Sequence, residues 1–229
     1  MSQSNQENLM KIQIMICGNQ AVGKTSISNQ YINESFSNNY NTIGLEMNKK
    51  QDIINSDKVN IFIIDVQGTH ENFDVINQQA RKADGYIFVY DIGDSISFKD
   101  IDIWITKIKQ IKGDDFQKCQ RLLIGNKVDT RQEHFKGISR EQGSSKAKNH
   151  KMKFIETSAK EGTNIKQAIK YLAARIYQQK MQSLNAQNIQ NIISQQEESQ
   201  QHLLSEIEQP QKPKKSCNCW TKFKSYFTN

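Results

Sequence analysis

Cysteine is scarce: four in 229 residues cannot supply a disulfide framework for a chain of this length, so a reducing, cytosolic compartment is the expectation. No apolar run approaches the roughly 18 residues of a membrane span. The opening MSQSNQENLM has neither the basic region nor the apolar core of a secretory leader, and Ser2 stands where N-myristoylation needs a glycine. Attachment to a membrane is therefore expected to be peripheral. No segment repeats at a solenoid period, which excludes a stacked array. The body of the chain also lacks a dense basic stripe, so nucleic acid is not an expected partner.

A hydrophobic fraction of 36% with 24% charged residues suits one domain with a sizeable core plus extensions. The net charge of +7 fits an anionic nucleotide or an acidic membrane, and its location matters more than its size. From Met10 to Gln179, short apolar runs alternate with segments of helical period, the pattern of a parallel α/β sheet. Strands are expected at KIQIMIC, KVNIFIID, GYIFVYD, RLLIGN and KFIET, with an edge strand around GLEMNKKQDII. Helices are expected to begin near Lys24, Phe73, Ser97, Ser139 and Thr163. In the last, Ile165, Ala168, Ile169, Leu172 and Ile176 recur at helical spacing and read as core. The expected organisation is a disordered N-terminus (1–9), a nucleotide-binding domain (10–179) and a Gln/Asn/Ser-rich tail (180–229). That tail reads as a disordered linker with transient helix, closed by a basic, cysteine-containing end.

The strongest motif is GNQAVGKT, Gly18 to Thr25, which fits G-x-x-x-x-G-K-[ST] between an expected strand and an expected helix. Gly18 and Gly23 let the backbone curl so that successive N–H groups face phosphate oxygens at a helix N-terminus. Gln20, Ala21, Val22 and Ser26 complete the cradle. Lys24 would supply a point charge to the β- and γ-phosphates, and the Thr25 hydroxyl can ligate Mg²⁺. The bland alternative is a glycine-rich turn from strand to helix. Asp65, ending the next apolar strand, has the placement of a carboxylate that holds Mg²⁺ through water.

A phosphate loop does not name the base. NKVD, Asn126 to Asp129, opens at the C-terminal end of a parallel strand, where open α/β sheets bind ligands. The Asp129 carboxylate can accept from the two donors on the Watson–Crick edge of guanine, whereas adenine presents the wrong pattern; GTP and GDP are selected because the wrong base leaves polar groups unpaired. Asn126 would brace the loop and the Lys127 stem would cover the base face. In TSAK, Ser158, Ala159 and Lys160 follow the last strand, where the Ala159 N–H can meet the guanine oxygen.

With these residues assembled, the chain resembles the Ras superfamily of small GTPases, and most closely its Rab branch, over roughly Lys11 to Tyr177. Supporting pieces are NTIG at Asn41 to Gly44, VYDIGDSISF at Val89 to Phe98, IGNKVD at Ile124 to Asp129 and ETSAKEGTNI at Glu156 to Ile165. The resemblance implies a P-loop fold, a six-stranded, mostly parallel sheet with one antiparallel edge strand and flanking helices. It implies that Thr42 reaches Mg²⁺ and the γ-phosphate when GTP is bound, that Gly68 senses that phosphate, and that Phe36 lies beside guanine. It also implies a switch in vesicle traffic whose two mobile loops meet exchange factors, GTPase-activating proteins and effectors.

Three departures stand out. Relatives carry a glutamine after the glycine of D-x-x-G, which orients the attacking water; here Thr69 follows Gly68, and one inserted residue would bring His70 to that place. Gln20 is bulky where the family has a small residue, and it can obstruct an incoming arginine finger whose contribution is roughly 10³–10⁵ in rate. Slow hydrolysis is the expectation, with a GTP-binding recruitment module that barely hydrolyses as the alternative and a P-loop ATPase or kinase as a distant third. The aromatic trio of Rab effector surfaces is replaced by Met47, Ile64 and Gln79.

At the far end, Lys212, Lys214, Lys215, Lys222 and Lys224 form a polybasic segment suited to an anionic leaflet at about 1 kcal/mol per lysine. Cys217 and Cys219 resemble the doubly prenylated C-x-C of Rabs, but ten residues follow the pair. Two readings stay open: Trp220, Phe223 and Phe227 form one face of an interfacial helix, or Trp220 stands for a codon that should terminate translation. Reversible association with the cytosolic face of endomembranes is the expectation.

Overall fold

The computed structural model of the chain describes residues 9–37, 44–66, 73–132 and 135–207. Six strands, β1 (Met10–Cys17), β2 (Leu45–Ile54), β3 (Asp57–Val66), β4 (Gly85–Asp91), β5 (Gln120–Asn126) and β6 (Lys153–Glu156), form one sheet in the order β2-β3-β1-β4-β5-β6. β2 runs antiparallel to β3 and the other four pairings are parallel. The expected sheet is therefore the one found. β2 and β3 are joined by Asn55 and Ser56, at φ 50° and 74°, the two left-handed residues that match a hairpin turn to strand twist.

Helices α1 (Lys24–Asn33), α2 (Phe73–Lys82), α3 (Ser95–Lys112) and α4 (Arg140–Asn149) connect successive strands, and α5 (Ile165–Ile207) follows β6. They bury two faces of the sheet. On one, Ile12, Ile14, Ile16, Ile61 and Ile63 pack with Ile27 and Tyr31 of α1 and with Ile165, Ala168, Ile169, Leu172 and Ile176 of α5, so the stripe foreseen in that helix is core. On the other, Met15, Cys17, Tyr86, Phe88 and Leu123 meet Ile76 and Ala80 of α2 and Ile101, Trp104, Ile105 and Ile108 of α3. Strands buried on both sides explain the continuous apolar runs of β1 and β4, while edge strand β2 alternates.

Three helix starts lie one or two residues from expectation, at α3, α4 and α5, and caps set the first two. α3 begins at Ser95, one half-turn before Ser97, because the Asp94 carboxylate accepts from the Ile96 N–H at 2.8 Å. Ser97 instead bonds backbone, accepting from the Asp91 N–H and donating to the Asp94 carbonyl. α4 opens on a capping box in which Ser139 and Gln142 satisfy one another's backbone N–H groups. Beyond Lys180, where composition suggested a linker with transient helix, the chain is helical as far as Ile207. No glycine or proline occurs between Gly162 and Pro210, and Gln, Ala, Leu, Met and Glu are adequate helix formers. The chain divides into two units, Met1–Met181 and Gln182–Asn229. Within the second, Leu184, Ile189, Ile192 and Ile193 are exposed. Among the described residues, no helix is long and apolar enough to cross a membrane.

Candidate nucleotide site

Between β3 and β4, on either side of β1, the sheet reverses its winding, and the loop leaving β1 lies at that switch point. Gly18, at φ 151°, is packed so closely that a Cβ would lie 2.3 Å from the Val89 carbonyl oxygen. Ala21 is also left-handed at φ 63°, and Gly23 at φ 97° is the N-cap of α1 without a side-chain cap bond. As N-cap, Gly23 brings no side chain of its own to the first N–H groups of α1, a helix N-terminus that suits an anion.

Lys24 opens α1 and is 6% exposed, its Nζ donating to the Asn19 carbonyl at 2.7 Å. Burial pushes its pKa down to about 8, opposed by the negative charge of Asp65. Between pH 8 and 10.5 the unfolded chain keeps a proton on this lysine that the folded chain has released, so the nucleotide-free protein gains stability as pH rises through that window. From pH 7.5 to 10 this lysine's contribution is about 2 kcal/mol; the buried Cys17 thiol, pushed up by burial, works in the opposite direction, so the gain is read by urea unfolding as a wild-type stability that rises about 2 kcal/mol more than that of Lys24→Met between the two pH values.

Asp65, fully buried at the end of β3, accepts from the Thr25 hydroxyl at 2.5 Å. A hydroxyl and a carboxylate oxygen side by side, next to an anion cradle, are hard donors that fit Mg²⁺. Groups of three or more His, Cys, Asp or Glu able to hold a metal are absent among the described residues. Such an ion would therefore be completed by phosphate and water oxygens, as Mg²⁺ prefers.

The opposite wall is organised by one amide. Asn126, 1% exposed at the end of β5, donates from Nδ2 to the Val22 carbonyl at 2.9 Å. Its Oδ1 accepts from the Thr157 hydroxyl at 3.0 Å and the Ala159 N–H at 3.2 Å. Phosphate loop, N-K-x-D loop and the loop after β6 therefore meet on a single side chain. Asp129 Oδ1 accepts from the Ser158 hydroxyl at 2.6 Å, and that hydroxyl oxygen accepts from the Glu161 N–H at 3.1 Å, which fixes the carboxylate. Lys127 is left-handed at φ 68°, and its ammonium lies 2.7 Å from Asp91 Oδ2. Held at both ends, the Lys127 stem makes a wall for a planar ring.

Of the other residues singled out in the sequence, Gln20, Ala21 and Lys160 are exposed, and Ser26 is half-buried. Phe36 is 37% exposed beyond α1. Met47 and Ile64 are direct ladder partners, but Met47 is on the surface and Ile64 is fully buried, so the two do not form a shared exposed patch. Gln79 is half-buried in α2. Thr42, Gly68, Thr69, His70, Cys217 and Cys219 lie outside the described residues. Sequence reading missed Asn19, Asp100 and Trp104, which link the phosphate loop to α3, and the contact of Lys127 with Asp91. The i, i+4 spacing of Asp100 and Trp104 on one helix face was the available signal for the first.

A glycine-rich anion cradle at the switch point of a parallel sheet, with a lysine, a threonine–aspartate pair and a facing N-K-x-D loop, defines a P-loop nucleotide-binding protein. The Ras family model matches residues 13–178. "Ras-related protein Rab-13" of Canis lupus familiaris is 34% identical over 164 residues, covering 71% of this chain and 78% of the relative. The Bos taurus protein of the same description is 33% identical over 164 residues with the same coverage. The chain belongs to the Ras family of small GTPases and is of Rab type.

Proposed function

We propose that this chain is a guanine-nucleotide-dependent switch in vesicle traffic that binds GTP and GDP with Mg²⁺ and hydrolyses GTP slowly. The observation that carries the reading is the Asn126 amide, which ties the phosphate loop to both loops that would surround guanine. Asp129, aligned by Ser158, supplies the acceptor that adenine cannot satisfy. Gly18, Gln20, Ala21, Val22, Gly23, Lys24, Thr25 and Ser26 would hold the phosphates; Thr25, Thr42 and Asp65 would hold the ion. Bound Mg²⁺ would neutralise charge developing on the phosphate oxygens.

Slow turnover rests on Gln20, exposed on the loop where a γ-phosphate would sit, and on Thr69 and His70 in place of a glutamine. Nucleotide competition should show GTP and GDP displacing a bound guanine nucleotide while ATP does not. Single-turnover hydrolysis should fall well below that of glutamine-bearing relatives, and a rate matching theirs would sink this reading. If His70 orients the water, His70→Ala lowers the rate about 10²-fold; an unchanged rate removes the imidazole from the chemistry.

The second reading, a recruitment module that hydrolyses negligibly, keeps the same binding site and fails if an activating protein restores turnover. In either reading the lysines beside Cys217 and Cys219 would bring the protein to an anionic membrane. Exchange factors, activating proteins and effectors would meet the segments around Thr42 and Gly68.

A further inference from the structure

Asn19 sits inside the phosphate loop, yet its side chain engages α3. Its Nδ2 donates to Asp100 Oδ2 at 2.7 Å, and its Oδ1 accepts from the Trp104 indole N–H at 2.9 Å. Carboxylates only accept and an indole only donates, so the amide can face these partners in one orientation. Asp100 and Trp104 lie one turn apart on α3, and Trp104 is 3% exposed with the Lys107 ammonium 5.4 Å from its ring centroid. The main-chain oxygen of the same Asn19 accepts from Lys24 Nζ at 2.7 Å. One residue thus joins a core helix to the lysine aimed at the phosphates.

We infer that Asn19 is a positioning residue that sets how long the phosphate loop retains nucleotide, through a polarity match: a neutral amide on the loop against a carboxylate and an indole N–H on α3. The inference rests on the guanine-nucleotide reading above. Loss of the match frees the loop from α3, lets the Asn19 carbonyl drift from Lys24, and raises the rate at which nucleotide leaves. Asn19 need not touch the nucleotide to do this.

The test is the dissociation rate of fluorescent GDP from the full-length protein with Mg²⁺. Asn19→Asp opposes two carboxylates at hydrogen-bond distance and should speed release about tenfold. Adding Asp100→Asn reverses the polarity while retaining an acceptor for Trp104, and should bring the rate back to within about twofold of wild type. Trp104→Phe keeps the ring and removes the N–H, and about threefold faster release is expected. A general loss of packing would not be repaired by a second change of charge pattern. If Asn19→Asp releases GDP at the wild-type rate, or the double variant is no slower than Asn19→Asp, the clamp is wrong while GDP uptake by wild type leaves the nucleotide reading standing. If wild type takes up no guanine nucleotide, both fail.

Discussion

Asn126→Ala is expected to weaken guanine-nucleotide binding by about 10²–10³-fold and to destabilise the nucleotide-free protein by about 3–5 kcal/mol. The side chain is buried and makes three hydrogen bonds, to the Val22 carbonyl, the Thr157 hydroxyl and the Ala159 N–H. Its removal leaves three polar groups without a partner from this residue, each at about 1–3 kcal/mol unless water enters. The effect on binding comes from geometry: the phosphate loop loses its tie to the loops that would face the base. Isothermal titration with GDP and urea unfolding measure the two parts separately. Asn126→Asp keeps both bonds made to Oδ1 and loses the donation to Val22, so it should retain the Ala159 loop and lose the phosphate-loop register. A change below about 0.5 kcal/mol in Asn126→Ala would contradict this role.

Gly18→Ala should cost about 3–5 kcal/mol, a large share of the roughly 5–15 kcal/mol that holds an ordinary domain folded. The added methyl would lie 2.3 Å from the Val89 carbonyl oxygen and 3.3 Å from Val22 Cγ2, at a φ of 151° that side chains rarely adopt. Val89 is fully buried in β4 and paired with Ile124 of β5, so its carbonyl has no room to retreat. Gly113→Ala separates conformation from collision. Gly113 is at φ 59° and ψ −135° with nothing within 4 Å of an added Cβ, so the loss there should be conformational strain alone, about 1–3 kcal/mol. Equal losses at the two positions, measured by denaturant unfolding, would show that crowding against β4 is not the reason for glycine in this loop.

The sheet was legible because its central strands are apolar on both faces and end at turn signals, whereas the polar edge strand was placed only around GLEMNKKQDII. The phosphate loop and N-K-x-D loop were legible as local patterns in the correct strand context. Contacts between distant segments were not. Nothing in the spacing of Val22 and Asn126, 104 residues apart, reveals that one amide joins them. The Asn19 contacts with Asp100 and Trp104 span 81 and 85 residues; the i, i+4 spacing puts those two on one helix face but does not say which loop meets it. Beyond Lys180 the sequence suggested only transient helix within a polar linker; the chain is helical to Ile207, because the segment has no helix breaker and polarity alone does not forbid a helix of Gln, Ala and Glu.

The reach of Asn126 has a consequence during synthesis. Its partners Thr157 and Ala159 are added to the growing chain 31 and 33 residues after it, whereas Val22 precedes it by 104. A nascent chain carrying a complete phosphate loop still lacks the brace that sets that loop's shape until β6 and the residues behind it have emerged. Ligand cannot then rescue an early intermediate by mass action, because the site that would take it does not yet exist. For most of its translation, this chain must rely on contacts within its partly formed sheet to avoid exposing the apolar faces of β1, β3 and β4.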